Sequence, residues 1–299
     1  MIKKILILGS NSFAGSTFAN FCLKKKIKVH GVSRSKLSDN FNLLNKKLKK
    51  KFSFFRYDLN KDRKKIISLI KRNKYEYIVD FMGQGMVAES WLYPNHWIDT
   101  NIKNKTLLIN EIKNFKFLKK YIRISTPEVY GSNKFKIKEN FICNPTTPYA
   151  ISHMAIDFML LAFYKTFNFP AIILRFSNFY GPGQQLYRII PLTILKILKK
   201  EKLQLHGSGK SLRSFIFSDD FSKAIFCSMK KGNLGEIYNI SSNDILSISE
   251  VVRKISEIMR YDYKKLVVNV KDRKSKDFKY LMDSGKAKRK LKWSNLTTF

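Results

Sequence analysis

The chain reads as an α/β protein, a doubly wound parallel sheet with a smaller C-terminal substrate lobe interleaved with its last strands. Three observations predict this. Short apolar, β-rich runs alternate with helix-length amphipathic segments through the first two thirds of the sequence, and such alternation implies parallel strands with helices on both faces. The first apolar run passes into a glycine-bearing turn, GSNSFAGS, and then into a helix. From about Phe179 onward the pattern breaks into many short elements, as expected where sheet strands and a second lobe share one stretch of chain.

The elements follow in order. KILIL reads as the first strand and Phe13–Lys25 as the helix behind it. IKVHGV is the second strand, FRYDL closes the third, Arg63–Arg72 forms a helix, and YEYIVDF is the fourth strand. Helices His96–Asn114 and Pro148–Phe167 flank the strand KKYIRIS, and AIILRFS follows them. This divides the chain into a nucleotide-binding unit, residues 1–178 with a return strand near 214–240, and residues 179–299, mainly the substrate lobe. No repeat or low-complexity linker separates the two.

With 299 residues, 44% of them hydrophobic, the chain can bury one large core and a smaller lobe. No stretch approaches the roughly 18 apolar residues that span a membrane. The opening MIKKILILGS is too short in its apolar part for a secretory signal, which needs about 7–15 residues. Cys22, Cys143 and Cys227 lie far apart without CxxC spacing, which predicts reduced thiols in a cytoplasm and no metal site. The formal charge of +36 has two readings. One is compositional drift toward Lys, Asn, Ile and Phe. The other is attraction to a polyanion, either nucleic acid or an anionic membrane surface. The densest basic run, NKKLKKKF at Asn45–Phe52, reads as a solvated loop or helix end without regular aromatic interleaving.

Gly9, Ser12 and Gly15 stand at the spacing G-x-x-G-x-x-G, with Phe13 and Ala14 in the same turn. A tight turn there brings backbone N–H groups and a helix N-terminus to a pyrophosphate, so the sheet is of Rossmann type. Ser12 takes the middle glycine position and is expected to crowd the backbone approach. The second strand ends in Ser33 and Arg34 where an acid would bind a ribose 2′-hydroxyl. A guanidinium pairs better with a 2′-phosphate, so NADP(H) is the preferred cofactor and NAD(H) the alternative; a plain surface arginine explains Arg34 equally well. Asp58 and Leu59 follow the third strand, at the adenine end. Met82, Gly83 and Gln84 follow the fourth, where a nicotinamide ribose needs room. His30 and His206 read as strand-end polar residues, Trp97 as core and Trp91 as a pocket wall.

The stretches GSNSFAGS, MVAESW, ISTPEVYG, NPTTPYAISH, RFSNFYGPGQQLYRIIP, LQLHGSGKSLRSFIFSDDFSKAI and GEIYNISS occur in one order along nearly the whole chain. Together they resemble the extended short-chain dehydrogenase/reductases, NAD(P)-dependent nucleotide-sugar epimerases and dehydratases, and among them the dTDP-glucose and GDP-mannose 4,6-dehydratases. The resemblance implies that Tyr149 is the catalytic tyrosine, Thr126 orients the sugar's 4-hydroxyl, and Glu128 removes the C5 proton. It implies that Gln84 and Ser90 line the sugar pocket and that Asn178, Arg188 and Arg213 hold the nucleotide diphosphate sugar. Tyr149 and His153 would also meet the cofactor. In that family C4 is oxidised, water is lost across C5–C6, and the hydride returns to C6. A 4-epimerase or a uronate decarboxylase uses the same C4 oxidation, and a non-catalytic cofactor-binding sensor or polyanion scaffold is the reading from another class. A homodimer is implied; the base of the nucleotide stays open.

Three departures qualify the resemblance. Pro127 replaces the aspartate of the dTDP-glucose branch, although other branches also lack that acid. His153 stands where the family's Tyr-x-x-x-Lys pair has lysine. A histidine with the ordinary pKa of about 6.5 is mostly neutral at pH 7, so slower oxidation is expected unless Tyr149 and the nicotinamide raise its protonated fraction. Finally, LKWSNLTTF stops where the family continues into a last helix, so a C-terminal helix is expected to be missing.

Overall fold

Seven parallel strands form the centre of the protein. The computed structural model describes residues 2–37, 48, 50–271 and 279–299, so half of the basic run at Asn45–Phe52 lies outside the described residues. The strands are β1 (Lys4–Leu8), β2 (Lys28–Ser33), β3 (Phe52–Arg56), β4 (Tyr77–Asp80), β5 (Lys120–Ser125), β6 (Ala171–Phe176), β7 (Asn178–Tyr180), β8 (Leu203–His206), β9 (Leu212–Phe217), β10 (Ile237–Ile240), β11 (Ile245–Ser247) and β12 (Val267–Val270). The large sheet runs β10-β6-β5-β4-β1-β2-β3. Every neighbouring pair in it is parallel. The order reverses between β1 and β4, and ligands of such sheets bind at that crevice.

Strand alternation sorts the core into two layers. Ile5 and Ile7 face the helices Phe13–Lys24 and Ser218–Lys231, packing with Phe18, Cys22, Phe221 and Ile225. Leu6 and Leu8 face the opposite layer, where Ile66, Ile109, Ile156 and Leu160 come from the helices Arg63–Asn73, Lys105–Ile112 and Pro148–Phe167. Fully burying one such aliphatic side chain is worth about 1.5–3 kcal/mol. Because both faces are covered, the strands read as continuous apolar runs.

The second lobe has its own core of Ile197, Leu203, Leu205, Phe215, Val251, Val252, Ile255 and Leu266. Two small sheets frame it, β11-β9-β7 and β12-β8. Its helix Ile248–Ile258 starts in a capping box, with Ser247 Oγ accepting from Glu250 N and the Glu250 side chain accepting from Ser247 N. After β9 the chain leaves this lobe through the helix Ser218–Lys231, which packs on the large sheet, and residues 237–240 add β10 beside β6. A ring column joins the lobes: Phe13 stacks on Phe179 at 4.7 Å, and Phe179 on Phe221 at 4.1 Å.

The sequence predicts one helix over His96–Asn114. The structure divides it into Pro94–Trp97, a wider π-helical stretch Ile98–Asn104, and Lys105–Ile112. The wide turn buries Thr100, Asn101 and Asn104. Asn60 Nδ2 donates to Thr100 Oγ1 and Arg63 Nη1 to Asn104 Oδ1. Buried amides need such partners, and the turn supplies them.

Candidate active site

The cofactor end rests on two close backbone approaches. Gly9 has φ +80°, and a Cβ there would lie 2.8 Å from Met82 N. A Cβ on Gly15 would lie 2.2 Å from Gly9 O. Neither position tolerates a side chain. Ser12 corrects the expectation of crowding: its φ of −64° needs no glycine, and its hydroxyl turns into the loop, accepting from Gly15 N at 3.0 Å and donating to Gly9 O at 2.8 Å. Phe13 and Ala14 open the helix, whose first turn carries no acid. Its N-terminal N–H groups therefore suit an anion, and the cradle fits a dinucleotide pyrophosphate.

Beyond β2, Ser33 Oγ accepts from Asn11 N at 3.0 Å. Arg34 is exposed, with Nη2 3.4 Å from Gln84 Oε1, and Arg56 Nε donates to Arg34 O at 3.2 Å. Asp58 closes a local turn by accepting from Asn60 N at 2.7 Å, and Leu59 is core. Met82 is buried, and Gly83 sits against Asn101, where a Cβ would lie 3.0 Å from Oδ1. Asn101 holds the loop on both sides: its Oδ1 accepts from Gln84 N at 2.7 Å, and its Nδ2 donates to Gln84 O and Ser152 Oγ. Sequence reasoning missed Asn101, which looked like one polar residue on a helix.

The residues expected to carry the chemistry meet at the tip of β5. Thr126 caps the 3₁₀ turn Pro127–Tyr130 by accepting from Glu128 N at 3.3 Å, and Pro127 occupies a first-turn position that needs no donor. Tyr149 stands in the first turn of Pro148–Phe167, which Thr147 caps through Ala150 N. Thr126 hydrogen-bonds the Tyr149 phenol, while burial and the Glu128 carboxylate push that phenol up to about 12 against the lowering pull of Thr126, Arg123 and Arg188. The structure thus brings Thr126, Glu128, Tyr149 and Arg188 to one place.

His153 lies beside Tyr149, with ring centroids 4.5 Å apart. Its Nδ1 is 3.1 Å from Arg123 Nη2. A guanidinium only donates, so Nδ1 accepts and the ring is neutral. Burial, then Arg123 and Lys105, hold His153 well below the usual histidine range. Tyr149 does not keep it protonated.

Behind His153 lies a buried ionic cluster. Asp80 Oδ2 accepts from Lys105 Nζ at 2.7 Å and from Tyr121 OH at 2.8 Å, with Arg123 Nη1 3.8 Å away. Asp80 Oδ1 fixes the loop after β4 by accepting from Met82 N at 2.9 Å. Burial and Arg123 lower Lys105 to about 8, against the pull of Asp80, so it keeps its proton at neutral pH. A signal for this cluster was present: Arg123 interrupts KYIRIS and Arg175 interrupts AIILRF, and a charge inside a buried strand demands a partner.

Asn178 begins β7 opposite Phe215 of β9, and Arg213 lies on that same β9, its guanidinium 4.3 Å over Tyr280. Arg188 is exposed just before the helix Ile189–Leu198. Ser90 is fully buried, its hydroxyl donating to Val87 O at 2.6 Å. Trp97 is core and Trp91 is 55% exposed. His30 ends inside the fold against Tyr75, and His206 closes β8. Among the described residues no group of three or more His, Cys, Asp or Glu could hold a metal, and no helix is long and apolar enough to cross a membrane.

Residues 5–241 match the model of the NAD dependent epimerase/dehydratase family. The chain belongs to that family. It is 32% identical to the dTDP-D-glucose 4,6-dehydratase of Dictyostelium discoideum over 86% of its own length, and spans 62% of that relative. Among solved structures it is similar to DesIV, the dTDP-glucose 4,6-dehydratase of Streptomyces venezuelae crystallised with NAD, with TM-score 0.91 and 26% identity over 99% of this chain and 93% of that one. The UDP-glucose 4-epimerase of Thermotoga maritima is equally similar, with TM-score 0.90 and 26% identity over 99% and 94%. Overall shape therefore does not separate dehydration from epimerisation; residues at the tip of β5 must.

Proposed function

We propose that the chain is a nucleotide-sugar 4,6-dehydratase that oxidises C4 of a hexose, expels water across C5–C6 and reduces C6. The observation that carries this is the Glu128 carboxylate held beside the Tyr149–Thr126 pair. An epimerase has no use for a base aimed at C5, whereas a dehydratase requires one. Thr126 orients the 4-hydroxyl, Tyr149 takes its proton, and the ketone so formed acidifies C5–H for Glu128. Gly9, Ser12, Gly15, the β2 tip and Met82–Gln84 would hold the dinucleotide. The nicotinamide supplies uptake of the C4 hydride and its return to C6. Arg213 and Asn178, on adjoining strands, suit the diphosphate, with Arg188 near the reacting end.

The finer reading of the cofactor is NADP(H), because Arg34 and Arg56 adjoin at the β2 tip and, among the described residues, no carboxylate pairs with either. A homodimer is supported by exposed Ile98, Leu107, Ile151 and Phe158 on neighbouring helices, an apolar stripe a second copy would cover. A cytoplasmic place for the enzyme is supported by its free cysteines and by an activated-sugar substrate.

The test is mass spectrometry after incubation with GDP-, dTDP-, UDP- and CDP-hexoses and either NAD⁺ or NADP⁺. A product lighter by one water is expected, formed faster with NADP⁺. Glu128→Gln should still oxidise C4 but release no water; dehydration at the wild-type rate would remove Glu128 from its role.

A further inference from the structure

Tyr149 faces, one helical turn away, a side chain that carries no charge. The His153 ring accepts at Nδ1 from Arg123 Nη2, which leaves Nε2–H as its only donor. A cation is nevertheless present directly behind the imidazole. Arg123 projects from β5 with 1% of its side chain exposed, and its carboxylate, Asp80, is already engaged on the same oxygen by Lys105 and Tyr121. The other buried carboxylate here, Asp157, is taken by Arg175 Nε at 3.2 Å and Ser125 Oγ at 2.8 Å. Among the described residues of this cluster, the cations Lys105, Arg123 and Arg175 therefore face only the carboxylates Asp80 and Asp157. The surplus positive charge lies on the His153 side of the cluster.

We propose that Arg123 is the positioning cation of this site, fixing His153 as its Nε2–H tautomer and supplying, from behind the ring, the positive potential that makes the Tyr149 phenolate accessible. The helix residue then orients while β5 provides charge, dividing between two side chains what one lysine would do. Arginine suits the task because it stays protonated at every working pH. No other group acting on Tyr149 supplies a buried positive charge. Glu128 opposes ionisation, Thr126 lowers the phenol most but by a hydrogen bond and not by charge, and Arg188 is exposed, where water and salt screen it. A buried guanidinium is screened far less. The catalytic consequence rests on the dehydratase reading above; the electrostatic assignment does not.

The experiment compares full-length wild type with Arg123→Met, Arg123→Lys, His153→Lys and the double variant Arg123→Met/His153→Lys. Three readouts are taken: ¹⁵N NMR of the His153 imidazole, ultraviolet titration of Tyr149 against a Tyr149→Phe blank, and the pH profile of C4 oxidation. In wild type, Nδ1 should be unprotonated and His153 should not titrate between pH 5 and 8. Arg123→Met keeps the Lys105–Asp80–Tyr121 bonds; there His153 should titrate, and Tyr149 ionisation should rise by about one pH unit or more. The kcat profile should shift by the same amount while KM changes by less than about twofold. Arg123→Lys should restore the Tyr149 titration, which a merely structural role would not predict.

His153→Lys alone puts an ammonium against Arg123 and should be slower than wild type, whereas the double variant should recover most of the rate. If Arg123→Met does not fold, Arg123→Lys and His153→Lys still decide. An unchanged Tyr149 titration in Arg123→Met, or His153→Lys as fast as wild type, would overturn the assignment. The expected titrations without oxidation of any sugar would uphold the Arg123–His153–Tyr149 arrangement and remove the dehydratase reading instead.

Discussion

His30 shows how single residues set the acid limit of this fold. Its Nδ1 lies 2.5 Å from Tyr75 OH, and burial, helped by Lys28 and Lys4, lowers it to about 4. The unfolded chain, with an ordinary histidine near 6.5, takes up the proton first as pH falls, so stability is present above that value and drains away toward pH 4. His153 shifts in the same direction. Denaturant unfolding between pH 7.5 and 4 should show stability falling by up to about 1.4 kcal/mol per pH unit for each histidine, and His30→Gln should remove one of the two contributions. An acid limb of unchanged slope in that variant would acquit His30. At this scale much of the site was legible: Thr126, Glu128 and Tyr149 meet as their motifs imply. Asp80, Lys105 and Asn101 were not legible, because their partners come from strands and turns far away in sequence, and only the geometry pairs them.

Among elements, the helix over Pro148–Phe167 serves two purposes. Its inner face packs Ile156 and Leu160 against the sheet, while its outer face leaves Ile151 and Phe158 about half exposed beside Ile98 and Leu107. Changing both Ile151 and Phe158 to Asp should convert a dimer to a monomer in sedimentation, with little loss of monomer stability, since neither side chain belongs to the core. A wild-type chain that sediments as a monomer would refute the proposed pairing. Long periodic elements such as this helix were readable from the sequence because an apolar stripe has a period. The π-helical stretch Ile98–Asn104 was not, since it is stabilised by tertiary partners of Thr100 and Asn104 rather than by any local propensity.

For the whole molecule, the dominant quantity is the charge of +36. Like charges at this density oppose compaction, and salt screens them. Raising NaCl from about 50 to about 500 mM should therefore raise Tm by about 2 °C, roughly the shift that 1 kcal/mol produces in a chain of this size. A Tm that falls or stays flat would mean the lysines are locally compensated. The alternation of strands and helices made the large sheet legible, but the path of the chain after Phe179 was not. Its elements are short, and their pairing depends on contacts with the sheet already built.

The position of β10 carries a consequence for synthesis. It joins β6 at the sheet edge although a whole second-lobe excursion lies between them in sequence. While the ribosome is still translating that excursion, AIILRF is the outermost strand of the growing sheet, apolar on both faces except at Arg175 and unpaired along one side. Such an edge invites pairing with another nascent chain. The edge stays open until Ile240 emerges, and a chain truncated before that point should aggregate rather than accumulate as a stable half-protein.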